Sequence, residues 1–174
     1  MSKVVFAKLT EPTQEIADAY NKWENDPALI PLMRPCQNET DLVKVTEVTI
    51  ETLKQRLEHG PTWLIYCDGQ LIGEMGYQID PAHLYKKEPN TAWIGITIGE
   101  KFAQGKGIGF HAMQFLEERV REENLPRMEL GVFEFNERAI KLYTKLGFQE
   151  IGRIENFTYW QGKMWKDIRM EKYI

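Results

Sequence analysis

A single mixed α+β domain is the fold class the sequence predicts, on three observations. Hydrophobic spacing switches between about two and about 3.6 residues several times along the chain, the mark of interleaved strands and helices. The 174 residues are 43% hydrophobic and 11% aromatic, enough for one core. No internal repeat, low-complexity run or Ser/Gly linker divides them, so one domain over residues 1–174 is expected.

The elements follow in order. Val4 to Leu9 reads as a short strand, and Thr13 to Asn25 as an amphipathic helix ending before Asp26-Pro27. A second helix is expected over Thr46 to His59, stopped by Gly60-Pro61, with an irregular stretch from Pro27 to Asp41 between the two. Thr62 to Cys67 and Gln70 to about Ile79 flank Asp68-Gly69, the signature of a two-residue hairpin turn. Asp80 to Asn90, with Pro81 and Pro89, is a loop, and Thr91 to Ile98 is the next strand. From Gly107 to Asn124 the residues Ile108, Ala112, Leu116 and Val120 recur every fourth position, which predicts a long core-facing helix closed by Pro126. Met128 to Phe135 is a strand. Asn136 then caps a helix with Ala139, Leu142, Tyr143 and Leu146 inward and Gly147 as its stop. Phe148 to Ile174 reads as two strands around Trp160-Gln161-Gly162-Lys163, so the order is β, α, α, β, β, β, α, β, α, β, β.

Composition narrows the function. Twenty-two basic against 26 acidic residues leave a net charge of −4, and no Lys/Arg run exceeds two residues, which argues against a nucleic-acid surface. No apolar run approaches a membrane span, and the N-terminal stretch that opens with Met1 to Phe6 is interrupted by Lys8 and Glu11, so neither a membrane partner nor a signal peptide is expected and a cytoplasmic location is. Cys36 and Cys67 lack C-x-x-C spacing and have only three His to join them, which supports neither a disulfide framework nor a metal site.

Chemistry concentrates at Gln104-Gly105-Lys106-Gly107-Ile108-Gly109, a turn from a strand into the long helix. Glycines let the backbone approach a ligand, and the unpaired N–H groups and positive dipole end of the helix favour phosphate oxygens. A glycine-rich connection without a ligand is the bland alternative. The spacing matches neither the dinucleotide fingerprint, since Gly105, Gly107 and Gly109 strictly alternate, nor the nucleotide-triphosphate loop, since Lys106 is followed by Gly107.

The pattern that fits is Q-x-x-G-x-G, at Gln104, Gly107 and Gly109, followed by N-x-x-A-x-x-x-Y-x-x-x-G-F from Asn136 through Ala139 and Tyr143 to Gly147-Phe148. Together the two motifs resemble the GNAT superfamily of acyl-CoA-dependent N-acetyltransferases, with the matching element order covering nearly the whole chain. The resemblance implies a mostly antiparallel central sheet, flanked by helices and splayed between its fourth and fifth strands, with acetyl-CoA as co-substrate in the split. It implies that backbone amides of Gln104, Gly105, Lys106, Gly107, Ile108 and Gly109 hold the pyrophosphate, that Ile98 pairs its backbone with the pantetheine arm, and that Asn136 touches that arm from the far side.

Tyr143 takes the position of the tyrosine that in many such enzymes protonates the departing thiolate; an ordinary core aromatic is its other reading. Asn136 and Tyr143 lie seven residues apart, two helical turns on one face, or about 10.5 Å by rise. The general base is where the pattern breaks. The position five residues before the Asn, acidic in several branches, is Gly131, and another common acidic position is Trp93. Glu129, two residues before Gly131 on the same strand face and about 7 Å away, is the candidate base through one water, with a solvated strand charge as its alternative. Glu74 is the reserve, and a water held by backbone carbonyls the third option.

Direct attack by the amine in a ternary complex is expected rather than an acetyl-cysteine intermediate, because neither cysteine has a His or Asp at catalytic spacing. Asn21-Lys22-Trp23-Glu24-Asn25-Asp26-Pro27 resembles the first-helix region of two branches, the ribosomal-protein alanine N-acetyltransferases and the aminoglycoside 6′-N-acetyltransferases. The partner is therefore a small-molecule or peptide amine: a protein N-terminus, an aminoglycoside or a polyamine, with a homodimer left open. A non-catalytic CoA-binding or interaction domain is the rival reading, motivated by the absent acid.

Overall fold

The computed structural model describes residues 1–174. Its elements are β1 (Val4–Lys8), α1 (Gln14–Glu24), α2 (Ile30–Met33), α3 (Ile50–Leu57), β2 (Thr62–Cys67), β3 (Gln70–Ile79), β4 (Thr91–Ile98), α4 (Ile108–Glu122), β5 (Arg127–Phe133), α5 (Glu137–Lys145), β6 (Gln149–Trp160) and β7 (Lys163–Tyr173). The seven strands form one sheet in the order β1-β2-β3-β4-β5-β7-β6. Every neighbouring pair is antiparallel except β4 and β5, which run parallel and pair only at Thr91–Arg127, Ala92–Met128 and Trp93–Glu129. Beyond Trp93 and Glu129 the two strands part, so the sheet is open along the remainder of β4.

Two apolar layers sandwich the sheet. On one face Ile108, Ala112, Met113, Leu116 and Val120 of α4 pack on Ile94, Met128 and Leu130; on the other Ile16, Tyr20 and Trp23 of α1 and Leu53 of α3 pack on Leu64. This explains the nearly continuous apolar run of β2: Trp63, Ile65 and Cys67 face α4, and Leu64 faces α1.

Two sequence expectations need correction. The second helix begins at Ile50, not Thr46, because the Asn21 and Asn25 side chains hold the preceding backbone extended. Asn25 exchanges hydrogen bonds of 2.9 Å with the N–H and C=O of Thr46, and Asn21 bonds of 2.7 and 2.6 Å with those of Val48. Thr49 then caps α3 reciprocally with Thr52. The stretch from Pro27 to Asp41 contains the short helix α2, with Pro31 in its first turn, where a missing N–H costs nothing.

Candidate active site

The glycine turn lies at the open end of the β4–β5 split. Gly105 and Gly107 have φ of +74° and +78°, conformations that disfavour a side chain, and Gly107 caps α4. The first N–H to close a helical bond is His111, to Gly107 O, so those of Ile108, Gly109 and Phe110 point out of the helix end toward the turn. Gln104 donates from Nε2 to Ile98 O at 3.1 Å, tying the turn to the end of β4. Lys106 is exposed. A Cβ on Gly109 would touch Leu142 Cδ2 at 3.4 Å, so this glycine sets the close approach of α4 to α5.

One cation at the turn escaped the sequence reading. A Cβ on Gly105 would lie 3.2 Å from Arg138 Nη2, so the guanidinium stands over the turn from α5. Its signal was present, an Arg two residues after the cap Asn136, but it is legible only once α5 is folded against the turn.

The segment leading into the turn is fixed from the opposite face. Glu100 accepts hydrogen bonds from Trp23 Nε1 at 2.7 Å and Lys22 Nζ at 2.6 Å, and a Cβ on Gly99 would sit 2.3 Å from the Trp23 ring. Burial alone would raise the Glu100 carboxyl, but these two donors and the Lys22 charge outweigh it and hold the group below the usual carboxylate range.

Asn136 uses its side-chain oxygen to cap α5, accepting from Ala139 N at 3.3 Å. Tyr143 lies on the same helix against the apolar layer of α4, 6.0 Å between ring centres from Phe148, and burial pushes its hydroxyl up to about 12. It therefore stays a neutral phenol, able to donate, at any physiological pH.

The acids sort by position. Glu129 is fully buried and engaged: it accepts from Tyr85 N at 2.7 Å, Lys86 N at 3.2 Å and Arg127 Nη2 at 2.7 Å. Its carboxylate anchors the loop 80–90 onto β5. Glu74 pairs with Thr97 on β4, four residues or about 13 Å of strand beyond Trp93. It lines a cavity of about 150 Å³ with Tyr20 and Arg56, where burial, opposed by Arg56 and reinforced by Glu24, raises its carboxyl to about 7. Gly131 lies two residues past the last β4–β5 pair, and a Cβ there would stand 2.7 Å from Asp167 Oδ2 and 3.1 Å from the Trp93 ring.

Residues 18–148 match the Acetyltransferase (GNAT) family. The chain belongs to this family. A probable spermine N(1)-acetyltransferase of Bacillus subtilis subsp. natto (strain BEST195) is 30% identical over 120 residues, covering 68% of this chain and 78% of its own. Two solved structures share the fold. The ribosomal-protein alanine N-acetyltransferase of Brucella melitensis superposes with a TM-score of 0.73 at 22% identity, over 98% of this chain and 99% of its own. The spermidine N-acetyltransferase of Vibrio cholerae, in complex with CoA and spermine, does so with 0.73 at 18%, over 98% and 95%. In this N-acetyltransferase fold the end of β4, the glycine turn and the start of α5 lie together, joined by the Gln104 bond to Ile98 O and the approach of Arg138 to Gly105. Glu129 stands apart from them, locked under the loop 80–90, whereas Glu74 lies beside the end of β4, paired with Thr97 and sharing the cavity with Tyr20 and Arg56.

Proposed function

We propose that the protein transfers the acetyl group of acetyl-CoA to a primary amine by direct attack in a ternary complex. The observation that carries this reading is the parting of β4 from β5 after three paired positions, with the anion-suited turn at its open end. In this reading the pyrophosphate lies on the amides of Gly105 to Gly109, the Gln104 N–H being spent on Lys101 O at 3.2 Å, with the Arg138 guanidinium beside it, and the pantetheine arm pairs with the backbone near Ile98 and passes Asn136. The thioester then reaches toward Trp93 and Gly131. The amine nitrogen attacks the carbonyl, the C–S bond breaks, and the Tyr143 hydroxyl gives its proton to the departing thiolate. Both substrates are held together, so the protein contributes chiefly by orientation.

A polyamine is the amine class best supported, by the relative named for spermine, which aligns over two thirds of the chain. The test is amine-dependent release of CoA thiol from acetyl-CoA with spermine, spermidine, an aminoglycoside and an alanine-terminated peptide. Turnover with a polyamine above all others supports the reading, and CoA-induced thermal stabilisation without turnover on any amine contradicts it.

A further inference from the structure

At the inner end of the split an acid reaches in from β7. Asp167 is 3% exposed and its Oδ2 lies over Gly131, the residue standing where the motif comparison expects a side-chain acid on β5. Glycine at 131 is thus a spatial requirement: any side chain there would displace the Asp167 carboxylate or the Trp93 ring. Oδ2 accepts from Arg169 Nε at 2.8 Å, and no hydrogen bond within the chain engages Oδ1. Arg169 is itself pinned, donating to His83 O at 2.9 Å and lying 4.9 Å over the Trp93 ring. Phe133, the strand partner of Asp167, and Phe157 complete an aromatic surround that suits a cationic nitrogen.

We propose that Asp167 is the proton acceptor for the attacking amine. This rests on the transfer reading above. The incoming ammonium gives one proton to Asp167, and the freed nitrogen lone pair forms the N–C bond. As the C–S bond breaks, the sulfur takes the Tyr143 proton. The second nitrogen proton returns to Tyr143 and Asp167 loses its own to water, so one proton is released per acetyl transferred. Burial raises the Asp167 carboxyl against the lowering pull of Arg169, a direction that brings it toward working pH. Of the other titratable groups around this corner, Glu129 is committed to the loop backbone and Arg127, and His83, exposed and packed T-shaped with Trp93, has its imidazole kept below its usual range by burial and by Arg169.

The experiment compares parent, Asp167→Asn and the double variant Gly131→Asp/Asp167→Ser, reading CoA-induced thermal shift, kcat and the pH profile of kcat/KM with two amines of well-separated pKa. Asp167→Asn should keep the CoA-induced shift, lose roughly 10²-fold or more in kcat and lose the acidic limb, leaving a profile that follows the amine. The double variant, which returns an acid to the same space from β5, should regain at least about tenfold of the loss. Parent-like kcat and acidic limb in a folded Asp167→Asn overturn the proposal, as does an acidic limb that disappears only in His83→Gln. Loss of fold in both Asp167 variants also overturns it, in favour of a purely structural pair with Arg169. A parent that releases no CoA with any amine overturns the transfer reading itself, a separate result.

Discussion

Glu100 and Trp23, seventy-seven positions apart, meet in a hydrogen bond of 2.7 Å that joins α1 to the segment between β4 and the glycine turn. Replacing Glu100 with Ala leaves the buried indole N–H unpaired, and should cost about 1–3 kcal/mol in denaturant unfolding. The carboxyl is held low, so the stability it contributes is present above its unfolded pKa of about 4.3 and is lost as pH falls through the lower folded value. Acidification should therefore narrow the stability gap between parent and Glu100→Gln. A gap that stays constant down to pH 2 would contradict the assignment.

Glu129 should prove a stability residue. Removing its charge strips Arg127, 1% exposed at its side chain, of an ionic partner at 2.7 Å, and leaves one amide oxygen where two carboxylate oxygens accept from the N–H groups of Tyr85 and Lys86. Breaking a buried pair from one side costs about 3–5 kcal/mol. For a chain of this size that is a fall in Tm of roughly 6–20 °C for Glu129→Gln. An unchanged Tm together with a lost acidic limb in kcat/KM would restore it to the chemistry.

Tyr143→Phe removes only the hydroxyl. With the phenol pushed up to about 12, the parent keeps its proton donor across the neutral range, and the variant should bind CoA as the parent does while kcat falls roughly 10²-fold. Equal kcat, with single-turnover rates also equal, would leave Tyr143 a packing residue.

Glu74 gives a prediction of the opposite sign to Glu100. Its carboxyl, raised to about 7, binds a proton in the folded protein that the unfolded chain releases near pH 4.3, so its contribution to stability falls as pH rises between about 4.3 and 7. Glu74→Gln should therefore gain Tm over the parent at pH 8 and lose most of that gain at pH 5. A gain that is the same at both values would show the carboxyl is not perturbed.

The sequence made legible what local physics writes. Asp68-Gly69 specified the hairpin, a four-residue apolar repeat specified α4, and Gln104 to Gly109 with Asn136 and Tyr143 specified the family and with it the parting of β4 from β5. Long-range side-chain commitments were not legible. Nothing near Glu129 announces that residues 85 and 86 donate to it, nor near Gly131 that β7 fills its missing side chain, because both facts depend on strand register across the sheet. The extended path of Thr46 to Val48 escaped for the same reason, being imposed by Asn21 and Asn25 from another element.

Amine-dependent CoA release by parent and Gly107→Asp decides whether acetyl transfer draws on acetyl-CoA held at the glycine turn, with Gly107→Ala controlling for backbone strain at φ +78°. The parent should turn over with a polyamine, Gly107→Ala should retain measurable binding and turnover, and folded Gly107→Asp should have neither, because its carboxylate occupies the phosphate position. Folded Gly107→Asp that binds CoA and turns over like the parent would contradict the account.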